Sequence, residues 1–222
     1  MSPLSLDAEA AWLKAGPHTA DRNDMVSRAE IKQQNDILLR QQHDFRRAAD
    51  IVTDALAAFE EIEAIAVIGS VAKPLWKEVP RFRDFRRAGV EVWHECKDLD
   101  LAVWISSQHR LGDIRRARDG ALAAAYKAGT GPGTVGHQVE IFLIAPGTDR
   151  YLGRLCYFST CPKHKRDCAT PGCGEIAFNK VVDGFEAHPD LLAPASYATL
   201  YRRGQGRLRS ALDLPRPQQD SD

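Results

Sequence analysis

Three short apolar runs alternate with segments of helical periodicity, and this alternation limits the chain to a fold that contains both helices and a sheet. The runs cover residues 62–68, 98–105 and 138–144 and are bounded by turn residues. Apolar side chains recur at helical spacing before the first run, from about Arg28, and again at 111–128 between the second and third. The order helix, strand, insertion, strand, helix, strand therefore predicts an α/β or α+β core.

The remaining segments are predicted to be extensions of this core, because 222 residues suit one domain with additions. The predicted segments are an irregular N-terminal arm (1–28), the core (29–150) with a basic insertion (76–97), a Cys-rich loop and C-terminal helical extension (151–214) and a disordered tail (215–222). Within the extension, residues 176–185 are predicted to add one more strand or a short helix. Residues 196–212 are predicted to form the C-terminal helix.

The charge balance and the cysteine count restrict the function. The 30 Lys and Arg residues equal the 30 Asp and Glu residues, so overall charge does not favour sequence-independent nucleic-acid binding, although a local patch remains open. No apolar run reaches the roughly 18–20 residues that span a bilayer, and the N-terminus lacks the pattern of a secretory signal. Five cysteines then indicate reduced thiols or a metal site. We expect a cytoplasmic protein with no membrane partner.

Three acidic residues in the second and third runs point to a metal site. Asp98 and Asp100 are two residues apart in a predicted strand, so their side chains project from the same face. Two neighbouring carboxylates repel each other unless a proton or a cation lies between them, and Mg²⁺ prefers such oxygen ligands. Glu140 lies in the next apolar run, where an unpaired charge is costly to bury. If these strands are neighbours, the three acids match a two-metal site for phosphoryl transfer.

A Gly-Ser turn follows the first predicted strand and suits a phosphate. Gly69 permits close approach of a ligand to the backbone, and Ser70 begins a predicted helical turn whose N–H groups favour anions. Lys73, about one turn further on, adds a positive charge. A triphosphate bound there would present its α-phosphate to metal ions on the acidic residues.

These residues resemble the nucleotidyltransferase superfamily that includes DNA polymerase beta, the minimal nucleotidyltransferases and the aminoglycoside nucleotidyltransferases. The matching positions are Gly69 and Ser70 after a strand, Asp98 and Asp100 in the next strand, and Glu140 in a third. The resemblance implies a small mixed sheet with helices packed on one side. It also implies divalent-metal-dependent transfer of a nucleoside monophosphate from a nucleoside triphosphate, with release of pyrophosphate.

The resemblance covers about residues 31–144 and assigns a role to each matching position. Gly69 and Ser70 would hold the phosphates of the nucleotide, which we expect to be ATP. Asp98 and Asp100 would bind two Mg²⁺ ions, and Glu140 would bind one of them or help to deprotonate the acceptor hydroxyl. The chain departs from the family in its long connection between the Gly-Ser turn and Asp-x-Asp, and in having Glu as the third acid. The acceptor is therefore left open among small molecules, proteins and RNA.

The tail contains a cluster of potential zinc ligands, which are Cys156, Cys161, His164, Cys168 and Cys173. Structural zinc favours four sulfur or nitrogen ligands with at least one close pair, and Cys161-x₂-His164 and Cys168-x₄-Cys173 meet this requirement. The spacing matches no common zinc finger closely. A structural zinc site and free thiols therefore remain alternatives.

Each signal also has a simpler structural interpretation. Asp98 and Asp100 would be solvated acids at a strand edge, Ser70 a helix N-cap and Lys73 a solvated lysine. The Arg and Phe residues of the insertion would contact bases and phosphates of an acceptor, or form a solvated basic loop. The alternative function is a catalytically inactive nucleotide- or RNA-binding module with a structural zinc loop. Three clustered carboxylates favour the enzyme, because a binding module has no need of them.

Overall fold

A computed structural model describes residues 26–148, 150–161, 173–182 and 197–217. Helix α1 (Arg28–Leu56) is one continuous helix of 29 residues. It begins where Ser27 Oγ accepts a hydrogen bond from the Glu30 N–H and Glu30 accepts one from the Ser27 N–H, so two otherwise unpaired donors are satisfied. Most of the predicted N-terminal arm lies outside the described residues.

Within the described residues, the core is a seven-stranded mixed sheet whose central strands carry Asp100 and Glu140, and Asp98 directly precedes one of these strands. In chain order the strands and the other two helices are β1 (Ile62–Ile68), β2 (Lys77–Glu78), α2 (Arg83–Ala88), β3 (Val92–Trp93), β4 (Leu99–Ile105), α3 (Leu111–Lys127), β5 (Val139–Ile144), β6 (Tyr151–Leu155), β7 (Asn179–Lys180), β8 (Tyr197–Arg202) and β9 (Gly206–Arg207). The sheet order is β7-β6-β5-β4-β1-β8-β9, and β2 and β3 form a separate two-stranded ribbon. Strand β4 pairs parallel with β5, whereas β1 pairs antiparallel with both β4 and β8.

The two faces of the sheet have different roles because alternate residues of each strand point to opposite sides. Leu101 and Ile141 belong to the large buried cluster that includes the apolar sides of α1 and α3. Both long helices therefore pack on this first face. The second face carries a smaller buried cluster of Ile68, Ala102, Phe142 and Ile144, with Trp104, Tyr151 and Tyr197 packed against it.

The basic insertion forms a small subdomain between β1 and β4. Strands β2 and β3 pair antiparallel, and α2 lies between them in sequence. Trp93 anchors the ribbon to the core. Its side chain is buried, and its backbone N–H donates a 2.9 Å hydrogen bond to the side-chain oxygen of Asn35 on α1. Gly89 ends α2 in a left-handed conformation (φ 64°), which glycine adopts without steric cost.

The C-terminal helix predicted for 196–212 is wrong, because this segment forms β8, β9 and a 3-10 turn (Ala211–Asp213). Tyr197, Thr199 and Tyr201 alternate with the inward-facing Ala198 and Leu200, which is the period of a strand. The aromatic and β-branched residues favour a strand, and pairing with β1 satisfies their backbone groups.

The other tail predictions have mixed outcomes. Strand β7 supports the strand alternative for 176–185, and β6 was not predicted at all. The predicted tail boundary at 215 coincides with a contact, since the Pro215 carbonyl accepts a hydrogen bond from Arg46, and residues 218–222 lie outside the described part. Among the described residues, no helix has the length and apolar composition required to cross a membrane.

We expect Leu101→Ala to lower the free energy of unfolding by about 2–5 kcal/mol, because the substitution leaves a cavity between the sheet and the helices. The matched control is Leu208→Ala, since Leu208 is 42% exposed and should cost about 0.5 kcal/mol or less. Urea unfolding monitored by circular dichroism measures both values. Equal losses in the two variants would contradict the assignment of this face to the core.

Candidate functional site

Asp100 and Glu140 lie directly opposite each other on neighbouring parallel strands. Their Cα atoms are register partners in the β4–β5 pair, and both side chains project from the second face. Both residues are partly buried, whereas their strand neighbours Leu99 and Leu101 are fully buried on the first face. The sequence prediction that Glu140 lies beside the Asp-x-Asp pair is therefore consistent with the strand register.

The pKa of Asp100 reflects its burial and the charges of the two other predicted acids. Burial and then the neighbouring charges of Asp98 and Glu140 raise the pKa of Asp100 to about 7, although the Arg154 cation acts in the opposite direction. Asp98 is exposed and directly precedes β4. The three acids thus form a region of concentrated negative charge at one end of the parallel pair.

Arg154 on β6 is a partner of the site that the sequence analysis missed. Its guanidinium forms an ion pair with Glu140, and it lies 4.7 Å from the centre of the Phe142 ring. Glu140 is therefore not the unpaired buried charge that the sequence suggested. Strand β6 places Arg154 opposite Phe142, so only the strand pairing reveals the contact.

The Gly-Ser turn directly faces Asp100. Residues Gly69–Ala72 form a 3-10 turn immediately after β1, and Gly69 has a φ of 71°. A Cβ atom at Gly69 would lie 3.1 Å from Asp100 Oδ2, so any side chain there would crowd this carboxylate as well as strain the backbone. The close approach explains why glycine occupies this position.

Two polar side chains of α1 donate hydrogen bonds to the carbonyls of this turn. The Gln42 amide donates hydrogen bonds to the carbonyls of Ser70 (3.1 Å) and Lys73 (2.7 Å). The buried Arg46 guanidinium donates to the carbonyls of Val71 and Lys73 and also to the chain end at Leu214 and Pro215. No carboxylate is among these partners, so main-chain carbonyls compensate the buried charge of Arg46.

The sequence of α1 contains a signal for this clamp, by which we mean the hydrogen bonds of Gln42 and Arg46 to the carbonyls of the turn. Gln42 and Arg46 occupy core-facing positions in the apolar stripe of α1, in register with Leu38 and Ala49. A polar or charged side chain in such a stripe needs partners when it is buried. The signal indicates that a segment with hydrogen-bond acceptors packs against α1, but it does not identify this segment.

Cys96 also belongs to the environment of the turn. Its side chain is fully buried, and burial raises the pKa of the thiol to about 11, although a hydrogen bond with Ser70 and the charge of Arg46 act in the opposite direction. The thiol therefore stays protonated at neutral pH and acts as a packing residue beneath Ser70. Lys73 is partly buried, and its carbonyl is held by Gln42 and Arg46.

A groove of about 550 Å³ extends along the second face away from the acids. Its lining includes Trp104 on β4, Tyr197 and Thr199 on β8, and the exposed Arg202. Tyr197 pairs with Ile68, which itself pairs with Asp100, so the groove begins two strands from the acidic cluster. A ligand that occupies the groove would thus lie on the same side of the sheet as the three carboxylates.

The donor set of the acidic cluster suits a hard divalent cation. Its potential ligands are all carboxylate oxygens, and their mutual repulsion is relieved when a cation binds between them. Within the described residues, no three His, Cys, Asp or Glu side chains form a ready-made metal-binding group. Binding at this cluster would therefore require side-chain adjustment, including a change in the Glu140–Arg154 pair.

The predicted zinc ligands are only partly described. Cys156, Cys161 and Cys173 are partly exposed, while His164 and Cys168 lie outside the described residues. A Cβ atom added to Gly174 would lie 2.9 Å from Cys161 Cβ, so the two ends of the Cys-rich loop approach each other. The structural zinc site stays a prediction.

Comparisons with protein-family models, with curated proteins and with solved structures found no match to this chain. The function is therefore inferred from the site itself.

We expect Gln42→Met to lower the free energy of unfolding by roughly 1–3 kcal/mol, because the Ser70 carbonyl loses its side-chain donor and the Lys73 carbonyl keeps only Arg46, while side-chain volume is retained. Arg46→Met should cost more, since it removes donors from four carbonyls. Hydrogen exchange at residues 69–73 should accelerate in both variants. Unchanged exchange in this turn would contradict the clamp.

We expect Asp100→Asn to raise the melting temperature in the absence of divalent cations, and by more at pH 8 than at pH 5. In the unfolded chain Asp100 loses its proton near pH 4, but in the folded chain only near pH 7, so wild-type stability falls as pH rises through this window. Asparagine does not titrate. Each kcal/mol regained corresponds to about 2–4 °C for a chain of this length.

Thermal unfolding of both proteins in a chelator-containing buffer at pH 5 and pH 8 measures this difference. The comparison at pH 5 serves as the internal control for steric effects of the substitution. A melting-temperature difference that does not change between the two pH values would contradict the charge repulsion at Asp100.

Proposed function

We propose that this chain is a divalent-metal-dependent nucleotidyltransferase, which transfers a nucleoside monophosphate from a nucleoside triphosphate, expected to be ATP, to an acceptor hydroxyl. The observation that carries the proposal is the register pairing of Asp100 with Glu140, beside a glycine turn that approaches the Asp100 carboxylate. Acids on adjacent strands next to a Gly-Ser turn support the resemblance to polymerase-beta-like cores. The mixed sheet with both long helices on its first face is compatible with such a core.

In this proposal, Asp98 and Asp100 are the principal metal ligands. Asp98 is solvent-exposed and Asp100 partly buried, so a cation between them would keep contact with water, as Mg²⁺ prefers. Bound Mg²⁺ would neutralise the phosphates and stabilise the charge that develops on the attacking and leaving oxygens. Glu140 would either join this ligand set or accept the proton of the acceptor hydroxyl, and either role would require a change in its ion pair with Arg154.

The turn at Gly69 and Ser70 would bind the phosphates of the nucleotide. Its carbonyls at Ser70 and Lys73 point into α1, where Gln42 and Arg46 hold them, so the turn is fixed before a ligand binds. A turn that is already ordered loses less entropy when it binds phosphate. Lys73 would supply a positive charge for the same group.

One observation favours the alternative of a catalytically inactive nucleotide- or RNA-binding module. Arg154 neutralises Glu140, so the third acid already has a cationic partner without a metal ion. In that case ATP should bind with equal affinity with and without Mg²⁺, and no transfer should follow. Isothermal titration with ATP under both conditions distinguishes the two functions.

We expect the wild-type protein to label an acceptor from α-labelled ATP in the presence of Mg²⁺, and to lose this activity in a chelator. Small hydroxyl compounds, proteins and RNA are tested in turn as acceptors. Asp98→Asn and Asp100→Asn should each reduce labelling at least about a hundredfold, because both remove charge that holds the cation.

Asp36→Asn on α1 is the matched control, since Asp36 is exposed and pairs only with Lys32 in the described structure. It should label at the wild-type rate. Transfer that persists in the Asp98→Asn variant, or the absence of transfer together with Mg²⁺-independent binding of ATP, would overturn the proposal.

A further inference from the structure

The basic insertion, defined as residues 76–97, presents a fixed aromatic pair at the surface. The rings of Trp76 and His94 stack with their centres 4.0 Å apart, and Trp76 is 43% exposed. Glu78 holds both rings, since it accepts a 3.0 Å hydrogen bond from Trp76 Nε1–H and lies 2.9 Å from His94 Nδ1. One carboxylate therefore orients two rings into a rigid platform. Fixing exposed side chains in this way costs conformational entropy, which is unfavourable unless a partner binds them.

Four exposed arginines belong to the same insertion as this platform. Arg81, Arg83, Arg86 and Arg87 are all exposed, and α2, which carries the last three, has no buried residue. Arg81 follows Glu78 by three residues, so their Cα atoms are at most about 11 Å apart. Residues 76–97 contain six basic and four acidic side chains, so the insertion has an excess of two positive charges on a chain with no net charge. Arg83, Arg86 and Arg87 lie within five residues of one another on α2, where Asp84 is the one acid.

The insertion is anchored despite its exposed charges. Leu75, Val92 and Trp93 are buried in the main core, and Phe85 packs against it. The arginines thus project from a supported element and not from a free loop. Such preorganisation lowers the entropy cost of binding.

The platform lies close to the candidate active site because of the chain connection. His94 precedes Asp98 by only four residues, so their Cα atoms are at most about 14 Å apart. On the other side, Trp76 follows the Gly-Ser turn by six residues. The insertion therefore connects the two halves of the site.

We propose that the basic insertion binds single-stranded nucleic acid, with a base stacked on Trp76 and the phosphates paired with Arg81, Arg83, Arg86 and Arg87. Stacking platforms combined with cationic tracks are the means by which proteins bind single strands without sequence preference. A duplex has its bases stacked internally and cannot use the Trp76 surface. An acidic peptide would use the arginines but has no planar base for the aromatic pair. A further step, in which the bound strand supplies the acceptor hydroxyl, rests on the proposed function.

The test is fluorescence anisotropy with a labelled 20-nucleotide single-stranded RNA of mixed sequence, at 50 mM salt, with chelator and without nucleoside triphosphate. These conditions exclude nucleotidyl transfer, so binding and the proposed activity can fail independently. We expect binding that weakens as salt increases, and weaker binding to a duplex of the same length. Polyglutamate that carries the same amount of negative charge as the RNA should compete poorly for the protein.

Combined Arg83→Ala, Arg86→Ala and Arg87→Ala substitutions should weaken binding at least about tenfold and reduce the salt slope by about 2. The matched control removes the same charge elsewhere, through Lys32→Ala, Arg40→Ala and Lys127→Ala at exposed helix positions. Trp76→Ala should weaken binding about tenfold, and Trp76→Phe should restore most of it, because the ring and not the N–H stacks on a base.

Three results would overturn the proposal. They are no detectable binding to the single strand at low salt, equal losses in the insertion and control triple variants, and equal binding of the duplex or of polyglutamate. Circular dichroism of each variant establishes that the fold is retained. If the Trp76→Ala variant loses its fold, binding by the triple arginine variant decides the test, because the substituted arginines of α2 are not buried.

Discussion

The parallel pairing of β4 with β5 is the constraint on which the candidate site depends. It places Asp100 directly opposite Glu140, and both strands are fixed in register by fully buried neighbours such as Leu101 and Ile141. A slip of one residue would turn these apolar side chains away from the helices and expose them to water, so the register is strongly specified. Hydrophobic burial on the first face therefore holds two like charges together on the second, against their repulsion.

A second constraint links α1 to the Gly-Ser turn and to the end of the chain. Arg46 is buried without a carboxylate, and its cost of desolvation is offset by the carbonyls of Val71, Lys73, Leu214 and Pro215. These carbonyls come from segments far apart in sequence, so a single guanidinium coordinates their positions. The turn that faces Asp100 is thus fixed from the core side, while its other side remains directed toward the acids.

The sequence allowed prediction of the central strands and of the neighbouring acids, because local periodicity identifies buried strands and their faces. It failed where pairing decides the structure. The segment around Tyr201 forms a strand and not the predicted helix, and Arg203 at its end donates to the carbonyls of Phe59 and Ile62. Arg154 could not be connected with Glu140 for the same reason, since only the antiparallel β5–β6 pair brings them together.

The insertion lies between the two chain segments that form the candidate site. Its first residue follows Ser70 by six residues and its last directly precedes Asp98, so both ends of the insertion lie near the site. The strand pairs of the main sheet do not include β2 or β3. A change in the insertion's surface charge can therefore alter which partner is brought to the acids while the sheet that holds Asp100 and Glu140 stays the same. This separation is the physical reason why the proposed binding by the insertion and the proposed chemistry at the acids can be tested independently.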